Sequence, residues 1–168
     1  MQRRSFLKLG VGAAAVLALA GGGVALFQPG LASGRLTAAG RMVFEAVSRA
    51  VLDGSLPPAG AERRAALDAQ LGRLDGVIVA FPASVQSELS QLLAILATAP
   101  GRRLLAGLAA DWPGASIAEL HAAFDDMRLS DIAARQQAYH ALRELTNAAF
   151  YADASAWPLL GYPGPRPT

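Results

Sequence analysis

The sequence contains no cysteine, and this absence excludes several classes of protein. A zinc or iron–sulfur site with cysteine ligands and a covalently attached c-type haem are both impossible. Disulfide cross-links are excluded as well. The chain of 168 residues has room for one domain. A domain of about 135 residues buries roughly two thirds of its unfolded surface, so it needs no such cross-links.

Lysine is almost absent too, because Lys8 is the only one and it lies close to Arg3 and Arg4. The formal net charge of +2 therefore comes from these first residues. After residue 32 the chain carries 12 arginines and 13 acidic residues, a net charge of −1. This balance does not favour a basic nucleic-acid-binding surface, and we expect no nucleic-acid partner.

The amino terminus carries the clearest motif in the chain. Arg3-Arg4 is followed by one polar residue and by Phe6-Leu7-Lys8, and residues 9–27 are uncharged. This order is typical of a twin-arginine (Tat) export signal, which is read by a translocase that moves folded proteins. We therefore predict that residues 1–32 are a Tat signal peptide with an apolar helix. The alternative is an anchor in the inner membrane, since about 20 apolar residues span a bilayer.

The position of the signal cleavage site is open. Ala18-Leu19-Ala20 fits a small-x-small site but lies early, and Gly30-Leu31-Ala32 is better placed but matches less well. Residues 28–35 are rich in Pro, Gly and Ser and are predicted to be a linker. Because positive charge stays on the cytoplasmic side, everything after the apolar run is expected in the periplasm.

Residues 33–150 are predicted to form an all-α domain, a small helical bundle, because apolar residues recur there with helical spacing. Val77-Ile78-Val79 could be a strand, but it has no partner strand nearby. The helices are expected over residues 38–52, 61–80, 82–98 and 102–110, from Ser116 onwards, and over 131–150. The expected caps are Thr37, a capping box of Ser116 and Glu119, and Ser130. The inward positions of the last helix are expected to be Ile132, Tyr139, Leu142, Leu145 and Ala149.

Residues 151–168 are predicted to be an extended strap rich in Pro, Gly and aromatic residues, with no helix after Pro158. The strap is too apolar to stay in solvent, so it should be buried on the bundle or on another protein. The sequence favours neither alternative. The candidate partner-docking residues are Phe150, Tyr151, Trp157, Leu160 and Tyr162.

The chain shows little that could perform chemistry. A metal cluster of His121 with Glu119 and Asp125 is a weak possibility, since the usual second set of ligands is missing. His140 could act in acid–base chemistry, and Asp125-Asp126 reads better as a solvated helix end than as a carboxylate pair. Phosphate-binding and nucleophile motifs are absent. We expect no catalytic, cofactor-binding or metal residues, and hence no enzyme activity in this chain alone.

Two segments near the carboxyl terminus, taken with the twin-arginine start and the small cysteine-free helical body, resemble the gluconate 2-dehydrogenase subunit 3 family. They are residues 145–151, Leu-Thr-Asn-Ala-Ala-Phe-Tyr, and Trp157 followed by Gly161-Tyr162-Pro163-Gly164-Pro165. The resemblance implies a small subunit without a redox centre. Its partner would be a GMC-type dehydrogenase that carries FAD and oxidises an alcohol, sugar or sugar acid, often with a cytochrome c subunit.

In that family the small subunit is thought to assist maturation of the flavoprotein and to supply the Tat signal for its export. No catalytic residue carries over from the resemblance. The alternative is a stand-alone Tat-exported periplasmic protein with a binding or structural role.

Overall fold

The computed structural model describes residues 28–161, and the predicted all-α bundle is confirmed for this part of the chain. A short hairpin of β1 (Leu31–Ala32) and β2 (Arg35–Leu36) comes first. The helices that follow are α1 (Ala38–Val51), α2 (Ala61–Val79), α3 (Ala83–Ala97), α4 (Ile117–Arg128) and α5 (Ala133–Tyr151). A single turn (Ala99–Gly101) and a π-helix (Arg102–Ala106) connect α3 to α4, and a 3-10 helix (Ala154–Leu160) follows α5. The predicted Tat signal and Tyr162 lie outside the described residues.

The helices pack around one core in which α1 is central, since α2, α3, α4 and α5 all contact it. Val43, Phe44 and Val47 of α1 are completely buried. Trp112, in the loop before α4, is also completely buried, and its indole Nε1 donates to the carbonyl oxygen of Leu96 at 2.7 Å. Residues 77–79 belong to α2 and are not a strand. The core is therefore assembled from helix faces that the apolar spacing predicted.

Two of the predicted helix caps are confirmed and one is wrong. The Thr37 hydroxyl accepts from the Gly40 amide at 3.4 Å, and Ser116 with Glu119 forms the capping box. Ser130 does not cap α5, because its hydroxyl accepts from the Ile132 amide at 3.2 Å and closes a turn ahead of the helix. Ile132 consequently precedes the helix and is 58% exposed, whereas an inward position was expected.

The predicted linker over residues 28–35 is instead part of the folded body. Leu31 pairs with Leu36 across β1 and β2, and both side chains are buried. Ser33 and Gly34, with φ angles of 50° and 73°, form the two-residue turn, and positive φ at both positions is what a tight hairpin requires. The body therefore begins before residue 33, and the Ser-Gly pair that suggested a linker is a hairpin turn.

A buried carboxylate joins the hairpin to α1 and α2. Oδ1 of Asp75 accepts from the Leu36 amide at 2.7 Å, and Oδ2 pairs with Nη2 of Arg41 at 3.1 Å. Asp75 is almost fully buried, and hydrogen bonds on both oxygens offset the cost of removing its charge from water.

The tail after α5 differs from the predicted strap, because residues 154–160 form a 3-10 helix that contains Pro158. The fixed φ of proline, near −65°, suits a 3-10 helix. The helix begins where Oδ1 of Asp153 accepts from the Ser155 amide at 2.9 Å, and it ends at Gly161, whose φ is 67°. The expectation that helix stops at Pro158 is therefore wrong.

Within residues 28–161, no helix is long and apolar enough to cross a membrane.

Candidate functional site

A cleft of mixed polar and aromatic character lies between α1, α4 and α5. Its volume is about 310 Å³. The lining residues are Ala50, Val51, His121, Phe124, Asp125, Tyr139, Arg143 and Asn147. The rings of Phe124 and Tyr139 meet edge to face with their centroids 5.8 Å apart, so an aromatic floor is surrounded by charged and amide groups.

His121 is oriented in this cleft by the end of α1. Its Nε2 lies 3.0 Å from the carbonyl oxygen of Ala50 and 3.9 Å from Oδ2 of Asp53. A carbonyl oxygen only accepts, so Nε2 carries the hydrogen and donates it. Ala50 lies in the last turn of α1, where carbonyl groups lack helical partners. The Ala50 carbonyl oxygen also accepts from the Asp53 amide at 3.4 Å, so His121 adds a second and shorter bond at the end of α1, which is a structural role for the residue.

Glu119 and Asp125, the other members of the candidate metal cluster, are each bonded to a different residue. Oε2 of Glu119 accepts from the amide and the hydroxyl of Ser116 at 2.8 and 2.7 Å. Both bonds lower the pKa of the Glu119 carboxyl, and the bond from the Ser116 hydroxyl has the larger effect. Asp125 pairs with Arg128 at 3.0 Å. Among residues 28–161, no group of three or more histidines and carboxylates is placed to hold a metal ion.

The remaining polar candidates lie on the surface. Asp126 is exposed and pairs with Arg135 at 2.6 Å, so the two adjacent aspartates each have an arginine partner and do not face each other as a pair. His140 is exposed, lies 3.8 Å from Glu144, and meets the Tyr139 ring at a centroid distance of 5.1 Å. Each of the two histidines therefore has two near neighbours, Ala50 and Asp53 for His121 and Tyr139 and Glu144 for His140.

Three of the candidate docking residues, Phe150, Tyr151 and Trp157, lie against the chain's own body. Phe150 is buried in a small apolar cluster with Leu52 and Ala156. The Tyr151 ring meets the Phe150 ring edge-on at 5.2 Å. Nε1 of Trp157 donates to the Tyr151 carbonyl oxygen at 3.0 Å, and both rings keep partly exposed surface. Leu160 belongs to the 3-10 helix, and the docking role of the whole set stays a prediction.

A polar network between α2 and the tail was not predicted. Nη1 of Arg73 pairs with Oδ2 of Asp153 at 3.0 Å. The Arg73 guanidinium also donates to Oε1 of Gln70, and Nε2 of Gln70 donates to the Thr146 carbonyl oxygen at 2.9 Å. The network ties the start of the tail to the bundle. No local pattern could have revealed it, since Arg73 and Asp153 are 80 positions apart.

Three large apolar side chains are exposed on neighbouring elements, the π-helix and the loop from α4 to α5. Leu104 is 76%, Leu129 69% and Ile132 58% exposed. Nε of Arg135 in α5 donates to the Leu105 carbonyl oxygen at 2.9 Å and so joins the two elements. We call these three residues the apolar end surface. The sequence did not predict this surface, because helical spacing placed Ile132 in the core and no local pattern indicated that Leu104 is exposed.

Comparisons of this chain with protein-family models, with curated proteins and with solved structures find no match.

Proposed function

We propose that this chain is the non-catalytic small subunit of a membrane-associated periplasmic dehydrogenase that depends on FAD. It would assist maturation of the flavoprotein and supply the Tat signal that exports both chains. The observation that carries the proposal is the Arg3-Arg4 motif before an uncharged run, followed within a few residues by a folded body. A translocase that accepts folded cargo can move two docked chains with one signal.

In this proposal the FAD belongs to the partner, which oxidises an alcohol, sugar or sugar acid, and a cytochrome c subunit would accept the electrons. The partner folds around FAD in the cytoplasm, where the cofactor is made. The small subunit docks on it there, and the complex is released into the periplasm or held at the inner membrane. The family resemblance of residues 145–165 supports this choice of partner.

The apolar end surface supports the existence of a partner. Its three side chains are between 58% and 76% exposed, and each contributes roughly 1.5–3 kcal/mol when it is fully buried. Single exposed apolar residues are ordinary, but several on adjoining elements are typical of an interaction site. Docking there would leave Phe150 and Ala156, at the start of the tail, packed on the bundle as they are in the structure.

A second candidate is a stand-alone Tat-exported periplasmic protein with a binding or structural role. The packing of the tail favours it, because Phe150 and Ala156 are buried without any partner. In that case the cleft at His121 becomes the candidate binding site.

The experiment that separates the two is capture of the chain, with a carboxyl-terminal tag, from membrane and periplasmic fractions of the source cells. The accessory role predicts a larger protein in near-equal amount with a flavin absorption spectrum. Replacing Arg3→Lys and Arg4→Lys should then retain both proteins in the cytoplasm. The matched control is Arg63→Lys with Arg64→Lys, a second adjacent pair in α2, which should export normally.

The same capture tests the docking surface. Leu104→Gln, Leu129→Gln and Ile132→Gln together should reduce the co-captured flavoprotein at least about tenfold, because about 1.4 kcal/mol of lost apolar contact already weakens binding tenfold. Val79→Gln, another exposed apolar position at 52%, is the control and should have no effect. A colourless chain captured alone, or a flavoprotein still exported with the lysine variant, would reject the accessory role.

A further inference from the structure

The folded body begins at Pro29, ahead of the second candidate cleavage sequence, Gly30-Leu31-Ala32. The Gly30 amide donates to the Ser90 carbonyl oxygen at 3.2 Å, and the Leu31 amide donates to the Ser90 hydroxyl at 3.1 Å. Thr37 donates three bonds to this segment. Its amide bonds the Gly30 carbonyl oxygen at 3.0 Å, and its hydroxyl bonds the carbonyl oxygens of Pro29 at 2.7 Å and Gly30 at 3.1 Å. Residues 29–31 are therefore bonded to α3 and to the start of α1.

Side-chain packing supports the same border. Leu31 is 8% exposed and belongs to the main core. A Cβ atom at Gly30 would overlap Cβ of Leu93 and lie 2.8 Å from the Ser90 carbonyl oxygen. The backbone at Gly30 thus approaches α3 too closely for any side chain, and this segment is seated between helices.

We propose that the exported protein retains residues 29–32, and that its signal is removed upstream of Pro29. Ala18-Leu19-Ala20, with alanine at both small positions, is the sequence that meets this condition. The proposal rests on the proposed export of the chain by the Tat route. It selects one of the two cleavage sequences that the amino-acid sequence leaves open.

The start of the folded body matters for removal of the signal, because folding comes before export and cleavage. A Tat substrate folds before it crosses the membrane, so the hairpin exists when the chain meets the peptidase. Proteases cleave segments that are extended and free of backbone pairing, and a segment bonded into the fold is cut only when it opens. The bond after Ala32 lies between β1 and the hairpin turn, so its cleavage would require β1 to leave Ser90, Thr37 and β2.

The first experiment is intact-mass analysis and amino-terminal sequencing of the chain recovered from the periplasmic and membrane fractions. A new amino terminus created by cleavage at or before Pro29 supports the proposal; a terminus after Pro29, or an uncleaved chain that begins at Met1, overturns it. Ala20→Gln should slow removal of the signal at least about tenfold, since small residues are required there. The matched control Ala32→Gln, at an exposed position of β1, should leave the rate of signal removal and the first residue of the product unchanged. Slower removal in Ala32→Gln would overturn the proposal.

A second experiment is independent of export. Hydrogen exchange is measured at single amides of the full chain carrying Arg3→Lys and Arg4→Lys, which is expected to stay unprocessed. The amides of Gly30, Leu31 and Thr37 should exchange at least about 100-fold more slowly than unstructured amides, because all three are bonded. Unprotected amides at Gly30 and Leu31 would show that residues 29–32 are not held, and would overturn the proposal. If these amides are protected but the parent chain is never exported, the folded border stands and only the proposed function is rejected.

Discussion

Replacement of Gly40 by alanine should destabilise this protein, although alanine in place of glycine within a helix usually stabilises. Gly40 is the third residue of α1, and the Gly30 carbonyl group lies where a side chain at Gly40 would begin. An added Cβ would overlap the Gly30 carbonyl oxygen and lie 3.0 Å from Cδ2 of Leu36. The methyl group can be accommodated only if the segment at Gly30 moves, and that movement breaks the bond from the Thr37 amide.

The expected change in the free energy of unfolding is the balance of one stabilising and two destabilising contributions. Alanine has a helix propensity about 1 kcal/mol better than that of glycine. Forcing an extra methyl group into a filled space costs about 1–3 kcal/mol, and loss of the bond to Thr37 adds about 1 kcal/mol. The net effect of Gly40→Ala should be a loss of about 1–3 kcal/mol in the free energy of unfolding. For a domain of this size that corresponds to a fall in Tm of roughly 3–10 °C.

The matched control is Gly72→Ala in α2, where no atom lies within 4 Å of an added Cβ. This variant should gain up to about 1 kcal/mol, because only the propensity term acts. Both variants and the parent chain are unfolded in urea under identical conditions and followed by far-UV circular dichroism. If Gly40→Ala is as stabilising as Gly72→Ala, the segment at Gly30 does not press on α1, and the described amino-terminal border is wrong.

Two further predictions concern buried and charged groups of the body. Trp112→Phe removes the indole bond to Leu96 in a fully buried site and leaves a small cavity. The free energy of unfolding measured in urea should therefore fall by about 2–4 kcal/mol. An unchanged unfolding midpoint would contradict this. The hydrogen bonds from Ser155 lower the pKa of the Asp153 carboxyl, the bond from the amide having the largest effect, and the charge of Arg73 lowers it further. A carboxyl with a lowered folded pKa stabilises above its ordinary pKa of about 3.9 and loses that effect as pH falls through the folded value. Asp153→Asn should therefore be less stable than the parent at pH 7, and the difference should shrink as pH falls through the lowered folded pKa of Asp153; a difference that does not change with pH would refute the linkage.

Much of the helical architecture could be predicted because its signals are local. The apolar spacing of α1, α3 and α5 and the capping box at Ser116 depend on residues within a few positions of one another. The same reading failed at Ser130, where a local turn competes for the hydroxyl that was expected to cap α5. It failed again at Pro158, because a 3-10 helix tolerates the proline that an α-helix rejects. Both failures concern the boundary or type of an element, not the fold class.

The candidate site could be predicted only in part. His121 was judged a poor metal ligand from spacing alone, and in the structure its Nε2 lies near the Ala50 carbonyl oxygen and Asp53. The apolar end surface and the cleft between α1, α4 and α5 were not foreseen, because each combines residues from separate elements. Nothing in the spacing of Leu104 and Leu129 says that their elements adjoin.

The amino-acid sequence by itself determined which segments become helices, where most of them start, and that a twin-arginine motif precedes them. Only the tertiary structure decided that residues 29–36 belong to the body and that the start of the tail packs on it. The physical reason is the distance along the chain between the partners. Leu36 is held by Asp75, 39 positions away, and Leu31 by Ser90, 59 positions away. Such bonds exist only after α2 and α3 have packed, so no local pattern can encode them.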